Sequence, residues 1–397
     1  MRFSRITLLL GSLCLMAGTL NAQTGTQPAA FGPFRVYDSD SNSVRIGFSA
    51  QMRLDFESRD QGGTAARTEK LLGYFRTVRP VLRGNFPKHN LGFLLQINTL
   101  PGALELLDMY FDWKASRHVQ FRFGQFKTPF TRYRNQSRLR LTFVDWPIVS
   151  PYFGAERQLG FSLHNGFDSP PEYEYAFGVF SGKDARASHG IGIAKVYDID
   201  LSNPSDLTGE TVKTEFNPEL FVRLAYNHGG IDVSSDTDSE RGPLRYSVGI
   251  NGAWDLEAGR YTDFSWRIAP ELLAKYEGWS LGLVGYAGGS RVGERAEVKT
   301  AMIGLLARLT YRIDSRWEVS SRFAVVHLRN DLIRDIGETQ GLVNETPFAI
   351  QDHSELSLGV NRYLVDHRLK LQVTVDWQRY LDDRTDLFVQ TQFQLVI

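Results

Sequence analysis

The sequence predicts an all-β protein: a transmembrane antiparallel β-barrel of about sixteen strands behind a cleaved signal peptide. Three observations predict it. From Ser43 onward apolar and polar residues alternate with a period of two in one long segment after another. Beyond the first residues, no apolar run approaches the ~18–20 residues that a spanning helix needs. The connections between alternating segments are long on one side and tight on the other, as they are in such barrels.

The chain opens with a secretory leader. Arg2 and Arg5 make a short cationic start, Ile6 to Gly18 an apolar run, and a small-residue exit places the cut after Ala22, although Leu20 is bulky for its position. Leu13 before Cys14 is a poor lipoprotein match, so no lipid anchor is expected. Cys14 is the sole cysteine of the 397 residues, so the exported chain is held together without disulfides. The leader takes two of the 45 basic residues and none of the 45 acidic ones, leaving a net charge of −2. That balance argues against nucleic acid as a partner and puts any electrostatic function in local arrangement. The expected organisation is residues 1–22 as signal, 23–42 as a short periplasmic segment and 43–397 as one barrel. A fully folded plug domain has no room before the first strand.

In the first strand Val44, Ile46, Phe48, Ala50, Met52, Leu54 and Phe56 share a face, opposite Arg45, Gly47, Ser49, Gln51, Arg53, Asp55 and Glu57. Similar runs fall near 71–84, 89–98, 105–114, 117–127, 157–165, 172–181, 217–228, 244–255, 264–277, 278–288, 299–313, 316–329 and 354–364. Leu369 to Gln378 and Leu387 to Ile397 complete sixteen. In the last strand Gln390, Gln392 and Gln394 stand on one face, costly in a dry core but comfortable in a hydrated lumen. The segment 190–199 alternates weakly; the even strand number of single-chain barrels assigns it to a long loop, 182–216. The 229–243 turn is longer than its side of the barrel should carry. Trp113, Trp254, Trp266, Trp279, Trp317 and Trp377 sit towards strand ends, as interfacial girdles require. A large soluble antiparallel sheet protein is the competing fold; its strands would be shorter.

Lys114 to Val144 carries eight cations and no acid. The stretch begins as a strand, ends its pairing at Pro129, which has no amide hydrogen to donate, and continues as an arginine-rich loop. Such a loop reads either as the selectivity element of an anion pore or as a solvated surface loop.

FRFGQFKTPF at 121–130, ERQLGFSLHNG at 156–166, FRTVRPVLRGNF at 75–86, LLDMYFDWK at 106–114 and the ending HRLKLQVTVDWQRY…FVQTQFQLVI resemble the phosphate-selective porins O and P of the Gram-negative outer membrane. The resemblance implies a sixteen-stranded homotrimeric channel in which the third outer loop, 128–156, folds into the pore and arginines line an anion path. There are two departures. Phe143-Val144-Asp145-Trp146 lacks the arginine of the family's acidic-basic pair, which bears on phosphate preference. Ile397 stands where outer-membrane barrels usually end on an aromatic read by the barrel-assembly machinery.

Strand parity directs Arg53, Arg79, Arg83, Arg122 and Arg223 into the lumen, with Arg157 beside them; the loop adds Lys127, Arg132, Arg134, Arg138 and Arg140. Guanidinium pairs bidentately with phosphate or carboxylate and stays charged at biological pH. The same face carries Asp55, Asp112, Glu219, Glu271, Glu318 and Asp376, so cross-strand ion pairing is the alternative role for each arginine. Ser162 and His164 share a face but lack a third catalytic member. The histidines have no metal-ligand spacing, and no cofactor or enzymatic activity is expected. The expected partners are small anions such as phosphate, outer-membrane lipid and lipopolysaccharide, the assembly machinery and two further copies of the chain. A general, weakly selective porin and a non-conducting barrel that anchors surface-binding loops remain as alternatives.

Overall fold

The computed structural model describes residues 33–39, 42–62, 66–100, 103–154, 157–167, 170–181, 218–256, 264–291, 299–328, 352–381 and 383–397. The expected signal at 1–22 and the loop 182–216, with its weak alternation at 190–199, lie outside them. Among the described residues the strands are β1 (Phe34–Asp38), β2 (Ser43–Arg59), β3 (Thr68–Phe86), β4 (Leu91–Leu100), β5 (Ala103–Lys114), β6 (Gln120–Lys127), β7 (Arg157–His164), β8 (Tyr173–Phe180) and β9 (Glu219–His228). They continue as β10 (Arg245–Asp255), β11 (Phe264–Tyr276), β12 (Trp279–Arg291), β13 (Lys299–Arg312), β14 (Trp317–Leu328), β15 (His353–Val365), β16 (Leu369–Tyr380) and β17 (Thr385–Val396).

Each strand from β2 to β17 pairs antiparallel with its sequence neighbours, and β17 pairs with β2 from Leu387 opposite Ser58 to Val396 opposite Ser49. The sheet therefore closes as sixteen strands, and no edge is left to template aggregation. The short β1 lies outside that count. It pairs with Ser43–Ile46 of β2, along the stretch that β17 leaves uncovered.

Exposure alternates the reverse of a soluble protein's. In β2, Met52 and Leu54 are 49% and 38% exposed, whereas Arg53 and Asp55 between them are 5% and 3% exposed. The polar face points inward and the apolar face outward on strand after strand, as a protein with lipid for its outer solvent requires. Among the described residues no helix is long and apolar enough to span a membrane.

Between β6 and β7 the chain forms three short helical turns, Arg132–Asn135, Arg138–Arg140 and Val149–Phe153. Their apolar side chains Phe130, Tyr133, Leu141, Ile148, Val149 and Phe153 pack against inward-facing residues of β8 to β14, among them Phe180, Phe221, Ala269, Val284, Leu306 and Val326. These wall residues depart from simple alternation: Leu305–Leu306 and Val325–Val326 put apolar side chains on both faces.

Candidate functional site

An irregular loop away from bulk water has backbone groups that must find partners. Here the wall supplies them. Lys370 Nζ and Gln372 Nε2 donate to the carbonyl of Leu141 at 2.8 and 3.0 Å, Asn361 Nδ2 to that of Thr142 at 2.8 Å, and Arg322 Nη1 to that of Asp145 at 2.8 Å. Thr374 Oγ1 accepts from the Val144 amide, and Gln394 Nε2 donates to the Leu139 carbonyl. Gln372, Gln394 and Lys370 are thus buried under the 128–154 segment.

Close approach needs small residues beneath the loop's aromatics. A Cβ on Gly304 would sit 2.6 Å from the Phe153 ring, and one on Gly359 would sit 3.3 Å from Phe143. Both glycines are seats for the loop rather than turns of the chain.

Most of the arginines directed inward by parity are paired. Arg53 bonds Asp55 and Asp145, each at 2.8 Å. Arg122 grips Asp112 through two bonds of 2.6 and 2.7 Å and lies 3.9 Å over the Tyr110 ring. Arg157 holds Asp108 the same way at 2.8 and 3.0 Å. Arg223 is buried between Glu174 at 2.6 Å and Glu271 at 2.5 Å, and Arg132 of the loop joins the same two carboxylates at 3.1 and 3.7 Å. Lys127 is buried as well, donating to the carbonyls of Arg134 and Gln136 at 3.2 and 2.8 Å. It caps the end of the first helical turn. Arg83 is exposed and faces Arg45 across the β2–β3 ladder. Arg140 is half exposed, reaching Ser234 and, at 3.8 Å, Asp232.

A different environment surrounds the remaining loop arginines. Arg134 lies 4.7 Å over the Trp146 ring. Arg138 sits 3.9 Å from Asp145, too far for a hydrogen bond, and its buried Nη1 has no hydrogen-bond partner among the described residues. Arg79 Nε is also buried without one. Arg76 joins this group through the electrostatics: it bears on Arg79, Arg138 and Asp145 alike. Among the described residues, Arg53, Arg76, Arg79, Lys127, Arg134, Arg138 and Arg157 therefore share Asp55, Asp108 and Asp145, with Glu105 acting on Arg79 and Asp376 on Arg53 and Asp145.

Burial weighs most heavily on Arg138 and opposes its charge. Asp145 offsets that effect, while Arg76, Arg79 and Arg134 add to it. At Asp145 burial raises the pKa, yet Arg138, Arg53 and Arg76 together outweigh it and hold the carboxyl well below the usual aspartate range. Among the described residues, cations outnumber carboxylates in this corner of the lumen.

Arg76 escapes strict alternation. The β2–β3 ladder pairs Gln51 with Thr77 and Met52 with Phe75, so Arg76 is the extra residue of a β-bulge. Counting by twos from Arg79 puts it on the lipid face; the bulge re-aims it. An arginine at an apparent lipid position was the available signal.

Ser162 and His164 do not form a catalytic pair. Ser162 Oγ donates to the Phe177 carbonyl at 2.9 Å, and His164 Nδ1 accepts from the Gly166 amide at 3.1 Å. Among the described residues no cluster of potential ligands could hold a metal ion.

Comparison with known proteins supports this reading of the fold. The family model described as phosphate-selective porin O and P matches residues 45–200. No curated protein matches. Among solved structures, the anion-selective porin from Comamonas acidovorans aligns at a TM-score of 0.56 and 12% identity, covering 90% of this chain and 100% of its own. The outer membrane channel DcaP of Acinetobacter baumannii aligns at 0.55 and 11%, covering 91% and 99%. Salmonella typhi OmpF, in complex with daunomycin, aligns at 0.53 and 11%, covering 91% and 100%. At such identities these likenesses speak for the barrel and its strand order alone. The porin O and P family model thus matches part of the chain, residues 45–200, and the described strands close as a sixteen-stranded antiparallel barrel, the fold shared with the outer-membrane porins above.

Proposed function

We propose that the protein is a passive diffusion channel for small anions, phosphate among them, and that the path runs past Arg76, Arg79, Arg134 and Arg138, with Arg53 and Arg157 at its sides. One observation carries this reading. Among the described residues, buried guanidinium nitrogens of Arg79 and Arg138 have no hydrogen-bond partner, in a cluster where the described cations outnumber the described carboxylates. A desolvated donor without an acceptor is costly unless a ligand or water serves it, and a small oxyanion supplies acceptors and negative charge together. Binding spread over several arginines, with Asp145 among them, keeps each site weak enough to release its ion, as conduction requires.

Arg122, Arg132, Arg223 and Lys127 have structural duties in this reading, holding strands and loop rather than solute. Arg83 and Arg140 stand at the exposed margins of the path. The match to the porin O and P family and the likeness to an anion-selective porin favour anions as cargo. A trimeric assembly is part of the proposal; a trimer form of OmpT from Vibrio cholerae is among the similar folds.

A general, weakly selective porin is the second reading. It is favoured by the ion pairs that neutralise Arg53, Arg122, Arg132, Arg157 and Arg223. Planar-bilayer recording separates the two. An anion channel gives a reversal potential near the chloride limit in a potassium chloride gradient, and added phosphate reduces the chloride current. In an Arg79→Gln, Arg138→Gln double variant the reversal potential moves towards cations. Equal permeability to both ions in the wild type leaves the general porin standing, and a folded barrel without conductance leaves only the anchoring role.

A further inference from the structure

The 229–243 connection between β9 and β10 is out of proportion for the end of the barrel opposite the 128–154 loop, where turns are short. Its course explains the length. Gly229 and Gly230, at φ 71° and 68°, reverse the chain in a conformation that side chains disfavour, and the following residues run into the lumen. Ser235, Asp236, Thr237 and Asp238 are buried there, and Ile231 and Val233 pack on Leu273 of β11.

Wall residues hold this turn as firmly as others hold the loop. Lys275 Nζ donates to the carbonyls of Asp232 and Thr237 at 2.6 and 2.9 Å. Asp238 accepts from Arg245 at 2.5 Å and from the Gly278 amide at 2.8 Å. Asp236 pairs with Arg308 of β13, and Thr237 Oγ1 lies 3.4 Å from the Tyr363 hydroxyl of β15. Ser235 Oγ lies 3.5 Å from His367 Nε2, in the turn after β15. A connection rooted in β9 and β10 thus reaches five strands along the barrel wall. There it meets the loop from below: Gln136 Nε2 donates to Asp236 at 2.9 Å, and Arg140 reaches Ser234 and Asp232.

We propose that the 229–243 turn is a second, inner constriction that bolts the 128–154 loop against the β11–β16 wall and thereby directs the passage past the arginine cluster. This inference rests on the channel reading for its consequence and on the contacts above for its mechanism. Both loop and turn are anchored on the same side of the lumen. Without the turn the loop loses Asp236 under Gln136 and its contacts at Arg140, and a second passage opens between loop and wall. Anions then cross with fewer arginines beside them.

The test joins β9 to β10 by a two-residue Asn-Gly turn in place of residues 230–243, in the full-length protein. Expected are at least a twofold rise in single-channel conductance in potassium chloride and a reversal potential displaced towards equal permeability. An independent readout uses Thr142→Cys in a Cys14→Ser background. Thr142 is buried between loop and wall, so a membrane-impermeant maleimide reacts slowly in the native turn and at least tenfold faster in the shortened one. Should the shortened chain fail to fold, Asp236→Asn combined with Lys275→Met carries both measurements. A folded variant with conductance, reversal potential and labelling rate all unchanged overturns the proposal. If the wild type carries no current, the channel reading fails, whereas the labelling rates still decide whether the turn holds the loop.

Discussion

At the scale of single residues, the lumen separates two uses of the same guanidinium. Arg132 sits among Glu174, Glu271 and Arg223, all buried. Removing one member of such a cluster leaves charge without its partner, which costs about 3–5 kcal/mol. Arg132→Gln is therefore expected to lower the urea midpoint of the refolded barrel in liposomes, with selectivity in the surviving channels little changed. The Arg79→Gln, Arg138→Gln pair should do the opposite, because those side chains hold few partners. Denaturant titration and reversal potential, read on the same preparations, distinguish the two classes; a large stability loss in the second would assign it a structural role. Asp145 works against the cluster's charge, and Asp145→Asn is expected to strengthen anion preference while loosening the Arg53 contact. Because its pKa is depressed by Arg138 and Arg53, the contribution of Asp145 to the folded state is complete above the ordinary aspartate value. It is lost only as pH falls through the lower folded value. Selectivity measured at pH 7 and at pH 5 should accordingly agree as far as this residue is concerned.

The 128–154 loop is the element on which the site depends, and its position is a packing result. Aromatics on the loop meet small or apolar residues on the wall, and wall amides and cations meet loop carbonyls. Gly304→Val would force a side chain into the space of the Phe153 ring. The turn Val149–Phe153 should then lift off β13, with a rise in conductance and a fall in the unfolding midpoint. An unchanged channel would mean that the loop docks without that seat. The basic composition of this loop was plain in the sequence. What was not legible was which of its cations are paired and with what. That depends on carboxylates from β5, β8 and β11, remote in sequence, arriving at Arg157, Arg132 and Arg223. The bulge that turns Arg76 inward is similarly a property of pairing between two strands, invisible to a count of alternate residues in one.

For the molecule as a whole, the closed sheet and its reversed polarity are the main stabilising arrangement. Closure satisfies every strand's backbone within the bilayer, where no water can do so, and the outward apolar side chains meet lipid. Leu358, 58% exposed in the middle of β15, should tolerate valine or phenylalanine, whereas Leu358→Arg is expected to cost ~2–4 kcal/mol if it lies near the midplane. Urea titration of folding into liposomes measures this directly, and a negligible cost would contradict a lipid-facing position.

Alternation, strand length, the asymmetry of the connections and the even strand number of single-chain barrels predicted the barrel and its sixteen strands from the sequence, and the closed sheet bears them out. They are consequences of a period-two backbone between two solvents and need no knowledge of the neighbours. The contents of the lumen were decided by tertiary structure. Whether an inward arginine is neutralised, holds a loop carbonyl or keeps an unpaired donor depends on groups brought together by closure of the sheet and by two connections folding inside it. Local sequence records that a residue can carry charge, but the electrostatic field at that residue is a sum over neighbours that only the folded chain assembles.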